Sequence, residues 1–300
     1  MSSRPDLQAP SDPGRLPTTL PQLIEKKRLG DPIVMVTAYD YPSARAAEAA
    51  GVDLVLVGDS AATTMLGYSA TTPVELDDML VLARAVRRGL RTPLLVGDLP
   101  FGSYEVSDEQ AITTAMRMVK EAGCEAVKLE GGGEASVRRA RAIVGAGIMV
   151  MGHVGLTPQT STALGGWKAQ GRTAKAAARI AAEALALQEA GCFALVFEAI
   201  PSAVTEELMP LLEIPVIGIG AGAATDGQVL VFHDLLGIRD GLGPRFVKRY
   251  ANLQQDMNAG VTAYAEDVRA RRYPGPEHTY SIDGAELAEL HAQLHPEPTA

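Results

Sequence analysis

EAAGVDLVLVGD, residues 48–59, reads as a helix end, a turn, a short apolar run and an acid. The pattern returns as EAGCEAVKLE at 121–130 and as EAGCFALVFE at 189–198. Gly51, Gly123 and Gly191 hold the same place in the three copies, and glycine is what a helix C-terminus takes at its left-handed cap. The apolar runs at 54–57, 126–129 and 194–197 are too short for helices and read as buried parallel strands. Asp59, Glu130 and Glu198 then stand at the strand end where α/β folds bind ligands.

Working outward, strands are predicted at 33–37, 54–57, 94–96, 126–129, 148–151, 194–197, 216–219 and 229–232. Helices fall between most of them. Residues 20–29 predict a short helix that closes one end of the domain. Thr72-Pro73-Val74-Glu75 and Ser107-Asp108-Glu109-Gln110 are capping boxes that start two more, and the Ala-rich stretch 173–190 supplies another. Eight strands alternating with helices predict a single (β/α)8 TIM barrel with an N-terminal helix and a C-terminal helical extension. A doubly wound open sheet is the alternative, and it normally uses fewer strands. The expected organisation is a disordered lead-in over 1–18, a barrel domain over 19–280 and a tail over 281–300 with a short helix. A mixed helix over about 246–271 is expected before the Pro-Gly break at 273–276.

Composition sets the class. Hydrophobic residues make up 47% of the chain, enough for a large core. The net charge of −9 and the lack of a basic stripe speak against a nucleic-acid partner. The first twenty residues lack the apolar stretch of a signal peptide, and no run reaches membrane-span length. Cys124 and Cys192 follow the repeat glycines and read as small buried hydrophobes, which fits a reducing cytoplasm.

The expected strand ends gather Asp40, Asp59, Asp98, Glu130, Glu198 and Asp234 with His153 and His233. Asp59 and Asp98 follow successive strands, and two hard oxygen ligands with room for water suit Mg²⁺. Aspartates that only cap the following helices are the plain alternative. Lys128 and Glu130 lie two apart on one strand and share a face. They fit either a structural ion pair or a cation for an anionic substrate beside a metal acid. Glu198 sits among Val196, Phe197, Ala199 and Ile200, a setting that suits a general base. Gly218, Gly220 and Gly222 do not match the dinucleotide fingerprint; they fit a phosphate-binding loop or close backbone packing. His153 fits a substrate contact or a satisfied strand-end residue.

An ordered set of segments resembles the ketopantoate hydroxymethyltransferase family. They are VTAYDYPSA at 36–44, LVGDS at 56–60, GDLPFGSY at 97–104, VKLEGG at 127–132, GHVGLTPQ at 152–159, GGWKAQGR at 165–172, FEAIP at 197–201 and IPVIGIGAG at 214–222 with TDGQVLVFHDLLGI at 225–238. The resemblance implies a (β/α)8 barrel with bound Mg²⁺ that condenses 3-methyl-2-oxobutanoate with 5,10-methylenetetrahydrofolate to give 2-dehydropantoate, in pantothenate and coenzyme A biosynthesis. By the family pattern Asp59, Asp98 and Glu130 form the metal site. Asp59, Ser60, Asp98 and Lys128 hold the keto acid, and Glu198 accepts the proton that leaves an enolate stabilised by the metal. A cytoplasmic homo-oligomer, often a decamer, is implied as well. Gly97 stands where the pattern implies Ala and Trp167 where it implies Tyr; neither is a functional position of the pattern. Two other classes stay open on the residues alone: a Mg²⁺-dependent lyase or aldolase acting on a pyruvate-like enolate, and a non-catalytic barrel that binds a small acid.

Overall fold

A computed structural model describes residues 14–239, 241 and 243–296. Eight parallel strands close into a barrel in sequence order. They are β1 (Ile33–Thr37), β2 (Leu54–Val57), β3 (Leu94–Asp98), β4 (Ala126–Lys128), β5 (Met149–Gly155), β6 (Ala194–Glu198), β7 (Val216–Ile219) and β8 (Gly227–Leu230). Helices of this unit are α1 (Leu20–Leu29), α2 (Tyr41–Ala50), α3 (Ala61–Thr64), α4 (Leu76–Gly89), α5 (Asp108–Ala122), α6 (Glu134–Gly145), α7 (Ala174–Glu189), α8 (Ser202–Leu208) and α9 (Phe232–Leu236).

The repeated phrase does what its chemistry predicts. Gly51 and Gly123 cap α2 and α5 at φ of 70° and 71°, and Gly191 takes φ 95° two residues after the end of α7, whose cap position is held by Ala190. Alternation along each strand then builds two cores. Leu54, Leu56, Leu94, Val96, Ala126, Met151, Ala194 and Val196 fill the barrel interior. Val55, Val57, Leu95, Val127, Val150, Leu195 and Phe197 face the helices. Leu23 of α1 is fully buried with the interior set, so the N-terminal helix does close that end of the barrel. Lys26 and Lys27 fasten it there through Asp53 and Asp226, each at 2.8 Å.

The boundaries depart from expectation at several places. β3 runs on to Asp98 and β5 to Gly155, so His153 lies inside β5 and not after it. β8 lies two residues earlier than predicted, because Gly227 pairs with Ile33 and Ile217 through backbone alone. The expected strand-end pair His233-Asp234 therefore falls inside α9. The Thr72 capping box starts no helix; α4 begins at Leu76 with Glu75 as its N-cap, whose N–H binds the Asp78 side chain. Ser107 behaves as expected and accepts from Gln110 N–H. The compact unit that holds the barrel ends at Ala251 and a second unit runs from Asn252 onward, whereas the sequence reading carries the barrel domain to 280. The expected lead-in lies mostly outside the described residues. Within its described part, Arg15 donates to Val52 O and Thr18 N–H donates to Thr92 O. The second unit contains α10 (Leu253–Arg269) and α11 (Gly284–Leu294), so the expected mixed helix starts later than 246. No helix among the described residues is long and apolar enough to cross a membrane.

Candidate active site

On β3, β4, β5 and β6 the period-2 alternation that fills the barrel interior continues to the rim and sets ionisable side chains there. Leu94, Val96 and Asp98 share one face of β3, and Ala126, Lys128 and Glu130 follow one face through β4 and past its end. Register sets Asp98 directly beside Lys128, and Lys128 Nζ lies 2.7 Å from Asp98 Oδ1 and 3.9 Å from Glu130 Oε1. Met151 leads to His153 on β5, and Val196 to Glu198 on β6. Asp59 breaks the phase. β2 ends at Val57, and the turn after it swings Asp59 so that its N–H donates to Asp98 Oδ2 at 3.1 Å. These six side chains line one cavity of about 880 Å³.

Charge in the floor of this cavity is unbalanced. Asp59, Asp98, Glu130 and Glu198 face one cation, Lys128. Burial alone works against the Lys128 charge, but Asp98, Glu130 and Asp59 outweigh it and hold its pKa above the ordinary value. Burial pushes the Asp98 carboxyl up, Lys128 pulls it down and Asp59 pushes it up again, giving about 7. The 2.7 Å contact with a charged lysine favours the carboxylate of Asp98. Glu130 is driven well above its ordinary value, first by burial and then by Asp59 and Asp98, against the pull of Lys128. His153 is lowered by burial and by Lys128, so its ring is neutral. Its Nδ1 lies 3.4 Å from Lys128 Nζ. Its Nε2 lies 3.3 Å from Glu198 Oε2, too far off line for a formed hydrogen bond.

The predicted residues meet, with some corrections. Ser60 follows Asp59 on the cavity wall and its Oγ lies 2.8 Å from the buried Tyr39 hydroxyl. Glu198 has His153 as a polar neighbour, so its surroundings are not purely apolar. Ala199, next to it, holds φ 49°, a conformation kept by bonds from Ala199 N–H to Ile219 O and from Gln170 N–H to Ala199 O. Asp40 leaves the group; it caps α2 by accepting from Ser43 N–H. His233 packs against Tyr39 in a tilted ring contact at 5.4 Å, while Asp234 lines the cavity paired with Arg239. Gly218 within β7 and Gly222 after it are closely packed. A Cβ on Gly218 would lie 2.7 Å from Thr225 Oγ1, and one on Gly222 would lie 2.5 Å from Ser202 Cβ. Trp167 lines the cavity, so that departure from the family pattern does touch the site.

The sequence reading missed two residues. Gln159, in the turn Pro158–Thr160, is buried and donates from Nε2 to Asp59 Oδ2 at 3.0 Å. Its backbone N–H donates to Glu130 Oε2 at 3.0 Å. Tyr104, also buried, donates to Gln159 Oε1 at 2.6 Å. Both stand in segments quoted for the resemblance, which is the signal that points to them.

The profile described as ketopantoate hydroxymethyltransferase matches residues 17–276. The chain belongs to the ketopantoate hydroxymethyltransferase family. Membership in it makes the protein a transferase. A mitochondrial 3-methyl-2-oxobutanoate hydroxymethyltransferase of Arabidopsis thaliana is 50% identical over 275 residues, covering 90% of this chain and 79% of the relative. The Moorella thermoacetica 3-methyl-2-oxobutanoate hydroxymethyltransferase is 51% identical over 262 residues, covering 87% and 97%. Among solved structures, a 2,3-dimethylmalate lyase of the PEP mutase/isocitrate lyase superfamily overlays with a TM-score of 0.57 at 17% identity, covering 92% of each chain. Oxaloacetate acetylhydrolase with its product oxalate overlays at 0.57 and 13%, covering 92% and 94%. At these identities the likeness shows the barrel fold.

The donor set of this hydroxymethyltransferase-family barrel fits the Mg²⁺ that the family resemblance implies. Asp59, Asp98 and Glu130 offer hard oxygens, and Asp98 Oδ1, although 2.7 Å from Lys128 Nζ, is buried with no aligned hydrogen-bond donor. Among the described residues no three His, Cys, Asp or Glu side chains form a ready-made cage. Mg²⁺ does not need one, since it is commonly held by one or two carboxylates with water and substrate completing the octahedron.

Proposed function

We propose that this cavity transfers a hydroxymethyl group from 5,10-methylenetetrahydrofolate to 3-methyl-2-oxobutanoate, giving 2-dehydropantoate. One observation above all supports the reading: Glu198 faces the Asp59, Asp98, Lys128 and Glu130 cluster across a single cavity, with His153 between them. The names and near 50% identity of the relatives support the same reaction.

The floor binds the α-keto acid. Asp59 and Asp98, with Glu130 beside them, would hold the Mg²⁺, and Lys128 neutralises part of the acid surplus so that an anion can enter. When bound, Mg²⁺ supplies Lewis acidity to the carboxylate and keto oxygens of the substrate. Ser60, braced by Tyr39, offers a hydroxyl on the wall. Glu198 takes the proton as the C3–H bond breaks, and the electron pair left at C3 forms the new bond to the one-carbon unit. Folate, not the protein, carries that unit. Overall one water is consumed: its hydroxyl ends on the new CH₂OH group, and its hydrogen and the proton taken from C3 by Glu198 end on the two folate nitrogens that had held the methylene.

Deprotonation precedes folate in this reading. Wild-type protein with Mg²⁺ should exchange the C3 hydrogen of 3-methyl-2-oxobutanoate in D₂O without folate, read by proton NMR. Glu198→Gln keeps size and polarity and should slow exchange by about 10²–10⁴, with keto-acid binding retained. Exchange near the wild-type rate in that variant would remove Glu198 as the base. Turnover of a single keto acid with folate omitted would instead support a lyase.

A further inference from the structure

We propose that Gln159 and Tyr104 act as positioning residues, a bridge that sets the carboxylate planes of Asp59 and Glu130 before any ligand arrives. The proposal rests on the reading above of those two acids as ligand-binding groups. A carboxylate at the end of a strand can rotate about its last bond. Here each one has an oxygen taken. Gln159 Nε2 holds Oδ2 of Asp59, and Gln159 N–H holds Oε2 of Glu130, both at 3.0 Å. Oδ1 of Asp59 is left for ligand, and so is Oε1 of Glu130, whose neighbours Lys128 Nζ at 3.9 Å and His153 Nδ1 at 3.8 Å lie beyond hydrogen-bond distance.

The orientation of the Gln159 amide is settled by its neighbours. Glu130 N–H donates to the Tyr104 hydroxyl at 3.3 Å, so that hydroxyl spends its own proton on Gln159 Oε1 at 2.6 Å. The amide nitrogen then meets two acceptors, Asp59 Oδ2 and Leu99 O, each at 3.0 Å. A flipped amide would set a carbonyl oxygen against a carboxylate and a second carbonyl. Tyr104 is itself fixed. Its hydroxyl is held between the Glu130 N–H that it accepts and the Gln159 Oε1 to which it donates. Its carbonyl accepts from the buried Arg139 of α6, which also holds Glu105 O and pairs with Asp108. The bridge thus joins the loops after β3 and β5 across the end of β4, and its two ends rest on the acids from β2 and β4.

A network that only satisfied buried polar atoms would affect folding and nothing else. A positioning bridge has a ligand readout. Gln159→Met keeps most of the volume and removes the side-chain donor; Tyr104→Phe removes one hydroxyl. Mn²⁺, in place of Mg²⁺, is titrated against each protein with 3-methyl-2-oxobutanoate present, and free Mn²⁺ is followed by electron paramagnetic resonance. Outer partners of metal ligands typically contribute about 10–100-fold to affinity or activity. Gln159→Met should weaken Mn²⁺ by that order and Tyr104→Phe should shift it the same way, several-fold, with melting temperatures recorded alongside. Folded variants that bind Mn²⁺ within about twofold of wild type overturn the bridge. If Gln159→Met fails to fold, Tyr104→Phe decides. If wild type itself takes up no Mn²⁺, the metal assignment falls. The bridge is then judged on C3-hydrogen exchange, where an unchanged maximal rate in Tyr104→Phe overturns it and a reduced rate at unchanged keto-acid affinity upholds it.

Discussion

Nζ of Lys128 sits 3.4 Å from Nδ1 of His153, and the contact decides the tautomer of the imidazole. A protonated lysine only donates, so Nδ1 accepts and the ring proton is on Nε2, toward Glu198. Nitrogen-15 NMR of histidine-labelled protein should show His153 as the neutral Nε2–H form. A proton on Nδ1 would contradict the arrangement. His153→Phe removes the imidazole that contacts Glu198 at 3.3 Å and should slow C3-hydrogen exchange by up to about 10-fold, less than loss of the base itself because no formed hydrogen bond holds it, while keto-acid binding changes less.

The Lys128–Asp98 pair makes a second prediction. Both side chains are almost fully buried. Removing one partner of a buried pair typically costs about 3–5 kcal/mol, because the other charge is left uncompensated. Lys128→Met should lower the denaturant midpoint accordingly and also raise KM for the keto acid or lower kcat. A stability loss with unchanged kinetics would make the pair structural only.

The fold was legible because parallel strands buried on both faces read as unbroken apolar runs, and the cap glycines mark where they begin. β8 was misplaced for the converse reason. Gly227 and Gln228 pair through backbone and carry no apolar signal, so the apolar residues after them drew the strand forward. In the site, charge made Asp59, Asp98, Lys128, Glu130 and Glu198 stand out. Gln159 and Tyr104 are neutral, lie in loops and matter through hydrogen-bond direction. Sequence does not display that property until the loops after β3 and β5 are brought together. Glu48 was visible only as a letter in the repeat, since its partners are 43 and 44 residues away.

Gly97 makes a prediction about packing. It faces away from the barrel interior, and a Cβ there would meet Met118 Cε at 2.3 Å and Cys124 Sγ at 2.8 Å. The alanine that the family pattern implies therefore does not fit this chain's α5 unchanged. Met118 is flexible, so Gly97→Ala should cost about 1 kcal/mol, the low end of overpacking. Pairing it with Met118→Val should recover that loss beyond what the two single changes sum to. A double-mutant cycle by chemical denaturation checks it, and additive effects would mean that the two sites do not meet.

Glu48 predicts a pH dependence far from the cavity. Its carboxylate accepts from Arg91 N–H at 2.8 Å, Thr92 N–H at 3.1 Å and the Thr92 hydroxyl at 3.0 Å, tying α2 to the turn that leads from α4 into β3. Burial raises its pKa, but these bonds and the Arg15 charge outweigh burial and leave it below the ordinary 4.5. The unfolded chain then takes up the proton more readily than the folded one. The stabilisation is complete above the unfolded pKa and is lost as pH falls through the lower folded pKa. Thermal melts of wild type and Glu48→Gln from about pH 7 to about pH 3 should show a gap in Tm that is widest near neutrality and closes on acidification. A gap that stayed constant over that range would mean that the ionised form of Glu48 gives the fold no advantage over a neutral amide.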